Sequence, residues 1–283
     1  MVEVREVEAR SILNRSGIPG VDWAVNPYVG CQHACVYCYA SFMKRFTGHA
    51  APWGRFVDVK VNAAALLAHR LRRPLPPGSQ VLLSSVTDPY QPAERHYAVT
   101  RRCLEALAAA GACVSILTKS DLVVRDLDII ASGREWDAGF TVTTLDAAWA
   151  AAFEPGAPPP RRRLAAAAAA ARRGVKTWAF FGPVLPGVSD GPAAVAEMFS
   201  ALAACGVREV VVDRLNPYPG PWARVCALLA GKPREVRAAF EDARRDPAAY
   251  GDVLAAVVGE AAERCGLSLR LAFDAASSRP GGR

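Results

Sequence analysis

The chain has 283 residues, 52% of them hydrophobic, and a formal charge of +7, which is enough apolar material for one large α/β core. Eight irregularly spaced cysteines do not make a disulfide framework, and the longest alanine-rich run, Leu164 to Ala171, is too short to cross a bilayer. The opening Met1-Val2-Glu3-Val4-Arg5-Glu6 has no leader pattern, so a cytoplasmic protein with reduced thiols and no membrane contact is expected. The basic charge points weakly to an anionic partner. Arg70-Leu71-Arg72-Arg73 and Arg161-Arg162-Arg163 lack interleaved aromatics and read as solvated surface.

A first core strand is expected from Trp23 to Tyr28, after a lead-in over residues 1–20. It runs into Gly30-Cys31-Gln32-His33-Ala34-Cys35-Val36-Tyr37-Cys38-Tyr39, a C-x3-C-x2-C set with three thiols. The next cysteine is Cys103, too far along to act as a local fourth ligand. A structural zinc needs four protein ligands, which His33 or His49 would have to complete here. A [4Fe–4S] cluster on three thiolates instead keeps one iron open for an outside ligand.

Further strands are expected at Val81 to Ser85, Cys113 to Thr118, Phe140 to Thr144, Val175 to Phe181 and Glu209 to Asp213, with a last one at Leu267 to Phe273. Helical stretches alternate with them, such as Thr100 to Ala110 before Gly111 and Ala193 to Cys205 before Gly206. Alternation of this kind is the sign of βα units around a parallel sheet, here a partial (β/α)6 barrel over residues 21–214. Glu154-Pro155-Gly156-Ala157-Pro158-Pro159-Pro160 reads as a stiff insertion or edge crossing. Residues 215–283 read as a mainly helical extension with a polar, flexible tail from Ser277.

In such barrels chemistry gathers where the strands end. That rule selects Ser84, Ser85 and Thr87, then Thr118 and Lys119, Thr143 and Thr144, Gly182 and Pro183, and Asp213 and Arg214. Asp88 reads as the cap of the turn that follows Thr87.

The cysteine spacing, with Tyr37 just before the third cysteine, resembles the motif of the radical S-adenosylmethionine (SAM) enzymes. Asn26-Pro27-Tyr28, Tyr37-Cys38-Tyr39-Ala40 and Thr87-Asp88-Pro89-Tyr90-Gln91-Pro92-Ala93-Glu94 are similar to the branch that contains spore photoproduct lyase. The resemblance implies a radical SAM partial TIM-like barrel and two cofactors, a [4Fe–4S] cluster on Cys31, Cys35 and Cys38 and SAM on its open iron. It also implies that Lys119 pairs with the SAM carboxylate, Thr87 helps to hold the amino group, and Tyr37 lies near the adenine. Thr143 looks like a third polar contact, with Thr141 on the same strand face, and Gly182 to Gly187 resembles the segment that meets the adenosyl group.

The implied reaction is reductive cleavage of SAM to a 5′-deoxyadenosyl radical that takes hydrogen from a substrate, with flavodoxin or ferredoxin as electron donor. Ser85 stands where the lyases carry their hydrogen-donating cysteine, which argues against thymine-dimer repair; Cys103 and Cys113 are the nearest substitutes. The open readings are an enzyme on nucleic acid, an enzyme on a small metabolite or peptide, and a non-catalytic iron–sulfur or zinc protein that binds nucleic acid.

Overall fold

A computed structural model describes residues 2–273, and the tail expected from Ser277 lies outside them. From the amino end come β1 (Glu3–Val7), β2 (Leu13–Arg15), β3 (Trp23–Val25), β4 (Tyr28–Val29), β5 (Phe56–Lys60) and helix α1 (Ala63–Leu71). Four βα steps follow. They are β6 (Gln80–Leu83) with α2 (Glu94–Tyr97) and α3 (Val99–Ala109), and β7 (Cys113–Thr118) with α4 (Leu127–Ser132). Next come β8 (Asp137–Thr141) with α5 (Ala147–Phe153) and α6 (Pro160–Arg172), and β9 (Lys176–Val184) with α7 (Pro192–Ala204). β10 (Glu209–Arg214) leads to α8 (Pro219–Leu229), α9 (Arg234–Arg245), α10 (Pro247–Cys265) and β11 (Ser268–Leu271).

One sheet runs β11-β10-β9-β8-β7-β6-β3-β2, parallel throughout except for β2, which pairs antiparallel with β3 at the edge. Neighbouring strands in the core are consecutive βα units, the connectivity of a partial barrel with helices outside. Val25, Leu83, Ile116 and Ala138 stand side by side in register and are buried; β3 and β6 end in this row, and β7 and β8 end two and three residues beyond it. That shared rim brings the βα loops together.

β7 fits the expected Cys113 to Thr118, its burial alternating with every residue as a half-covered strand requires. β8 does not fit. It begins at Asp137 and ends at Thr141, three residues before the expected stop. Gly139 decides the register: a Cβ there would stand 2.4 Å from the Trp178 indole of β9, whose Nε1 donates to Asp137 Oδ1 at 2.7 Å. Packing across the sheet thus overrides the low strand preference of Asp and Gly.

The expected strand from Trp23 to Tyr28 breaks after Val25, and Tyr28 falls in β4 of a second, three-stranded sheet, β1-β5-β4, whose β1 and β5 have no counterpart among the strands expected from sequence. β1 is almost wholly exposed and so carries no apolar alternation to detect. Pro160 opens α6 at the first helical position, where its missing N–H costs nothing. A small apolar cluster that includes Phe153, Leu185, Trp222 and Phe240 seats α8 and α9 on α5 and the end of β9, with Phe153 and Phe240 stacked at 5.8 Å. No helix among the described residues is long and apolar enough to cross a membrane.

Candidate functional site

The strand ends surround a cavity whose wall includes Cys31, Cys35, Cys38, Tyr37, Thr87 and Lys119. Ser84, Ser85, Asp88, Thr141, Gly182, Pro183, Asp213 and Arg214 complete much of the rim. Thr143 is absent from the wall. Because β8 stops at Thr141, that threonine faces the cavity, and Thr143 is buried past the strand end with its hydroxyl unpartnered. Cys103 is buried on α3 and Cys113 opens β7 at the opposite end of the strand, so neither thiol lies on the cavity wall.

The loop that carries the three cysteines is held from several sides. Gly30 has φ +86°, and a Cβ there would stand 2.4 Å from the Phe56 carbonyl oxygen, so only glycine fits the turn into Cys31. The Gly30 carbonyl accepts from Thr87 Oγ1 at 2.6 Å and from Gln91 Nε2 at 3.3 Å. Gln91 Oε1 accepts from Gln32 N at 2.9 Å, and Gln32 Oε1 accepts from Ala93 N at 2.6 Å. Asn26 fixes the strand end beneath, its Oδ1 accepting from Ser85 N at 2.9 Å and Val86 N at 3.1 Å.

Asp88 does more than cap a turn. One carboxylate oxygen accepts from Tyr90 N at 2.9 Å and Thr118 Oγ1 at 2.7 Å; the other accepts from Lys119 N at 2.8 Å and lies 3.3 Å from His33 Nδ1. It therefore ties the β6 and β7 ends to the cysteine loop. Burial opposes its charge, but His33 and these donors prevail and hold its pKa at about 2.

On the far side, Phe153 O accepts from Val36 N at 2.8 Å and His33 O accepts from Gly156 N at 3.0 Å, so the proline-rich segment backs the cysteine loop. Glu154 opens that segment and is buried, with one oxygen 2.5 Å from Arg163 Nη2. Its other oxygen accepts from Tyr37 Oη and stands 4.0 Å from Lys119 Nζ. Arg163, expected at the surface, is instead 1% exposed; it also donates to Pro158 O at 2.8 Å and Thr141 O at 3.2 Å. Its neighbours Arg161 and Arg162 are exposed. A third contact comes from α8, where Arg224 donates to Val36 O at 3.0 Å, Cys38 O at 3.1 Å and Ser41 Oγ at 3.1 Å.

The electrostatics follow from this packing. Burial pushes the Cys31 thiol well up, the Cys35 thiol to about 12, and the Cys38 thiol up less, so these groups are neutral until a strong Lewis acid binds them. Burial would lower the Lys119 pKa, but the Cys35 sulfur, once ionised, and the Glu154 carboxylate outweigh it and the ammonium is kept. Glu154 answers two cations, Arg163 and Lys119, so this group carries one net positive charge beside the cavity. Tyr37 is pushed well above the usual phenol range by burial, then by Cys35 and Glu154, and stays a neutral donor.

Two observations bear on a bound group. Ser84 Oγ and both ring nitrogens of His33 are buried on the cavity wall without a well-aligned hydrogen-bond partner, and Ser84 sits at φ +69°, a strained position for a side-chain-bearing residue. Among the described residues no three His, Cys, Asp or Glu side chains converge as one metal ion would require. Thiols spread along a wall suit a cluster, where each ligates its own iron, better than a single zinc.

The signal for the cysteines, Thr87 and Lys119 was local. Glu154, Arg163 and Arg224 had none, because each acts across the fold from a segment that reads as loop or surface.

A model of the Radical SAM superfamily matches residues 25–199. An uncharacterised protein of Methanocaldococcus jannaschii is 33% identical over 189 residues, 67% of this chain and 70% of that protein. An uncharacterised protein of Mycobacterium tuberculosis is 34% identical over 224 residues, 76% of this chain and 66% of that protein, so the chain spans just under two thirds of this relative. Spore photoproduct lyase complexed with dinucleoside spore photoproduct has a similar fold, with a TM-score of 0.67 at 16% identity over 95% of this chain and 81% of that one. Streptococcus suis SuiB bound to S-adenosylmethionine aligns at a TM-score of 0.56 and 14% identity, over 88% of this chain and 46% of that one.

Proposed function

Because the chain belongs to the radical SAM superfamily, we propose that it cleaves SAM reductively at a [4Fe–4S] cluster on Cys31, Cys35 and Cys38 and abstracts hydrogen from a substrate held at the same rim. One observation carries the reading: three thiols, one incompletely neutralised lysine and a threonine meet on a single cavity. When bound, the cluster supplies the electron that splits the sulfonium into methionine and a 5′-deoxyadenosyl radical.

The residues' own tasks can be assigned. Lys119, with only a half share of Glu154, pairs with the SAM carboxylate by charge-assisted hydrogen bonding. Thr87 and Thr141 offer hydroxyl oxygens, and Tyr37, fixed by Glu154, would line the place of the adenine. Asp88 sets the Lys119 backbone and, through His33, the cysteine loop. Gly182 and Pro183 form an apolar wall for the adenosyl group. An external one-electron donor completes the cycle.

Thymine-dimer repair is not part of this reading. A product radical needs a weak S–H bond, and among the described residues the cysteines on the wall are the three assigned to the cluster, while Ser85 offers a much stronger O–H bond.

The test is SAM binding to anaerobically reconstituted protein. Lys119→Met should weaken it at least tenfold, about 1.4 kcal/mol, with the iron content and cluster spectrum unchanged. Unaltered affinity would remove Lys119 from the site.

A further inference from the structure

A second concavity of about 700 Å³ adjoins the cavity and shares Tyr39 and Tyr218 with it. One wall is the 3-10 helical segment Tyr39–Phe46 that follows the last cysteine, and the other is the start of α8. Four aromatic side chains among the described residues are exposed: Tyr39, Phe42, Phe46 and Tyr218. Tyr39, Phe42 and Tyr218 line the groove, and Phe46 ends the segment that forms its first wall. Elsewhere the aromatics are at least partly buried, so this concentration is a property of the groove and not of the surface at large.

Charge is segregated there too. Residues 23–57 and 214–234, which supply both walls, contain no Asp or Glu, although the chain has 27 of them. Lys44 lines the first wall, and Arg45 follows it on the same segment just outside the lining, its guanidinium 4.6 Å from the Phe46 ring centre and 5.4 Å from that of Phe42, a ring that does line the groove. Pro52, Pro219 and Pro221 line the groove and have no N–H to pair with an extended peptide. Exposed rings beside acid-free cations suit a ligand that alternates flat apolar faces with negative charge.

We propose that this groove binds an unpaired nucleic acid strand, its bases stacking on Phe42 and Tyr218 and its phosphates meeting Lys44 and Arg45, and leads one nucleotide past Tyr39 into the cavity. The proposal rests on the cavity being the reaction site and names the substrate class for it. Stacking and phosphate pairing impose little sequence preference, so selectivity falls to the cavity itself.

The experiment reads binding without SAM or reductant, so it stands apart from the SAM chemistry. Fluorescein-labelled mixed-sequence strands of about 12 nucleotides, one DNA and one RNA, are titrated by anisotropy against anaerobically reconstituted protein at several salt concentrations. At least one strand should bind, and the tighter arm identifies the source. Phe42→Ala should weaken it about tenfold, and Lys44→Ala with Arg45→Ala should flatten the slope of log affinity against log salt by about 0.7 for each phosphate no longer neutralised. Iron content and SAM affinity should be unchanged in these variants, since none of the three residues lines the cavity. The proposal is overturned by absence of binding, by binding that these variants leave intact, or by a polyglutamate peptide of equal charge competing as well as the strand. That last result would make the groove a surface for an acidic protein.

Discussion

The cysteine loop is held on its two flanks by different physics. Toward β6 and α2 most contacts are neutral hydrogen bonds between Gly30 and Gln32 of the loop and Thr87, Gln91 and Ala93, about sixty residues along the chain, with Asp88 beside His33 as a charged exception. Toward α5, α6 and α8 they are ionic: the Glu154 to Arg163 pair behind Tyr37, and Arg224 on the loop carbonyls. Neutral hydrogen bonds add modestly to stability and fix shape. A buried ion pair is sensitive to removal of one partner, because the survivor is left charged without water. The ionic flank also meets the Lys119 ammonium, whose backbone Asp88 holds from the other side, so it bears on both the shape and the charge of the site.

The largest effect expected from breaking this contrast is on the ionic flank. Arg163→Met should cost about 3–5 kcal/mol and lower Tm by roughly 10 °C, since it strands Glu154. Adding Glu154→Met should recover most of that loss, because a packed apolar pair can replace a buried ion pair. The double variant should still bind SAM more weakly than wild type, with Lys119 and Tyr37 no longer oriented. Recovery of both properties would show that the pair only fills space. Calorimetry and SAM titration decide between these outcomes.

On the neutral flank, Gln91→Leu removes bonds to Gln32 N, Gly30 O and Thr87 Oγ1 and should cost about 2 kcal/mol, with iron released faster to a chelator. If it proves as damaging as Arg163→Met in a chemical denaturation series, the two flanks do not differ in kind.

The smallest effect has the opposite sign. Asp213 lines the cavity, and burial raises its pKa to about 6. The unfolded chain releases this proton first, near pH 4, so stability falls as pH rises from about 4 to 6 and stays reduced above. Asp213→Asn should therefore be more stable than wild type by about 1–2 kcal/mol at pH 8 and equal to it at pH 4. A gain that persists at pH 4 would place its cause elsewhere.

Legibility in the sequence follows the same division. The parallel strands, and the gathering of the cysteine set, Thr87 and Lys119 at the strand ends, are legible because each lies in a local pattern: an alternating apolar run, a ligand spacing, or a polar residue at a strand end. β8 was misplaced because an indole on β9, not local preference, sets its register. That displacement puts Thr141 on the cavity wall and leaves Thr143 off it. β1 was missed because both its faces are largely exposed. Glu154 and Arg163 look like a loop acid and one of three surface arginines until the fold closes a cysteine loop over them.

The central claim is that this rim binds a cluster and uses it on SAM. Anaerobically reconstituted protein is incubated with SAM and dithionite, and 5′-deoxyadenosine and methionine are quantified by mass spectrometry beside the variant in which Cys31, Cys35 and Cys38 are all alanine. The account predicts both products in equal amount from the wild type and neither from the variant. Iron-loaded wild type that forms no 5′-deoxyadenosine, or a variant that forms as much, would contradict it.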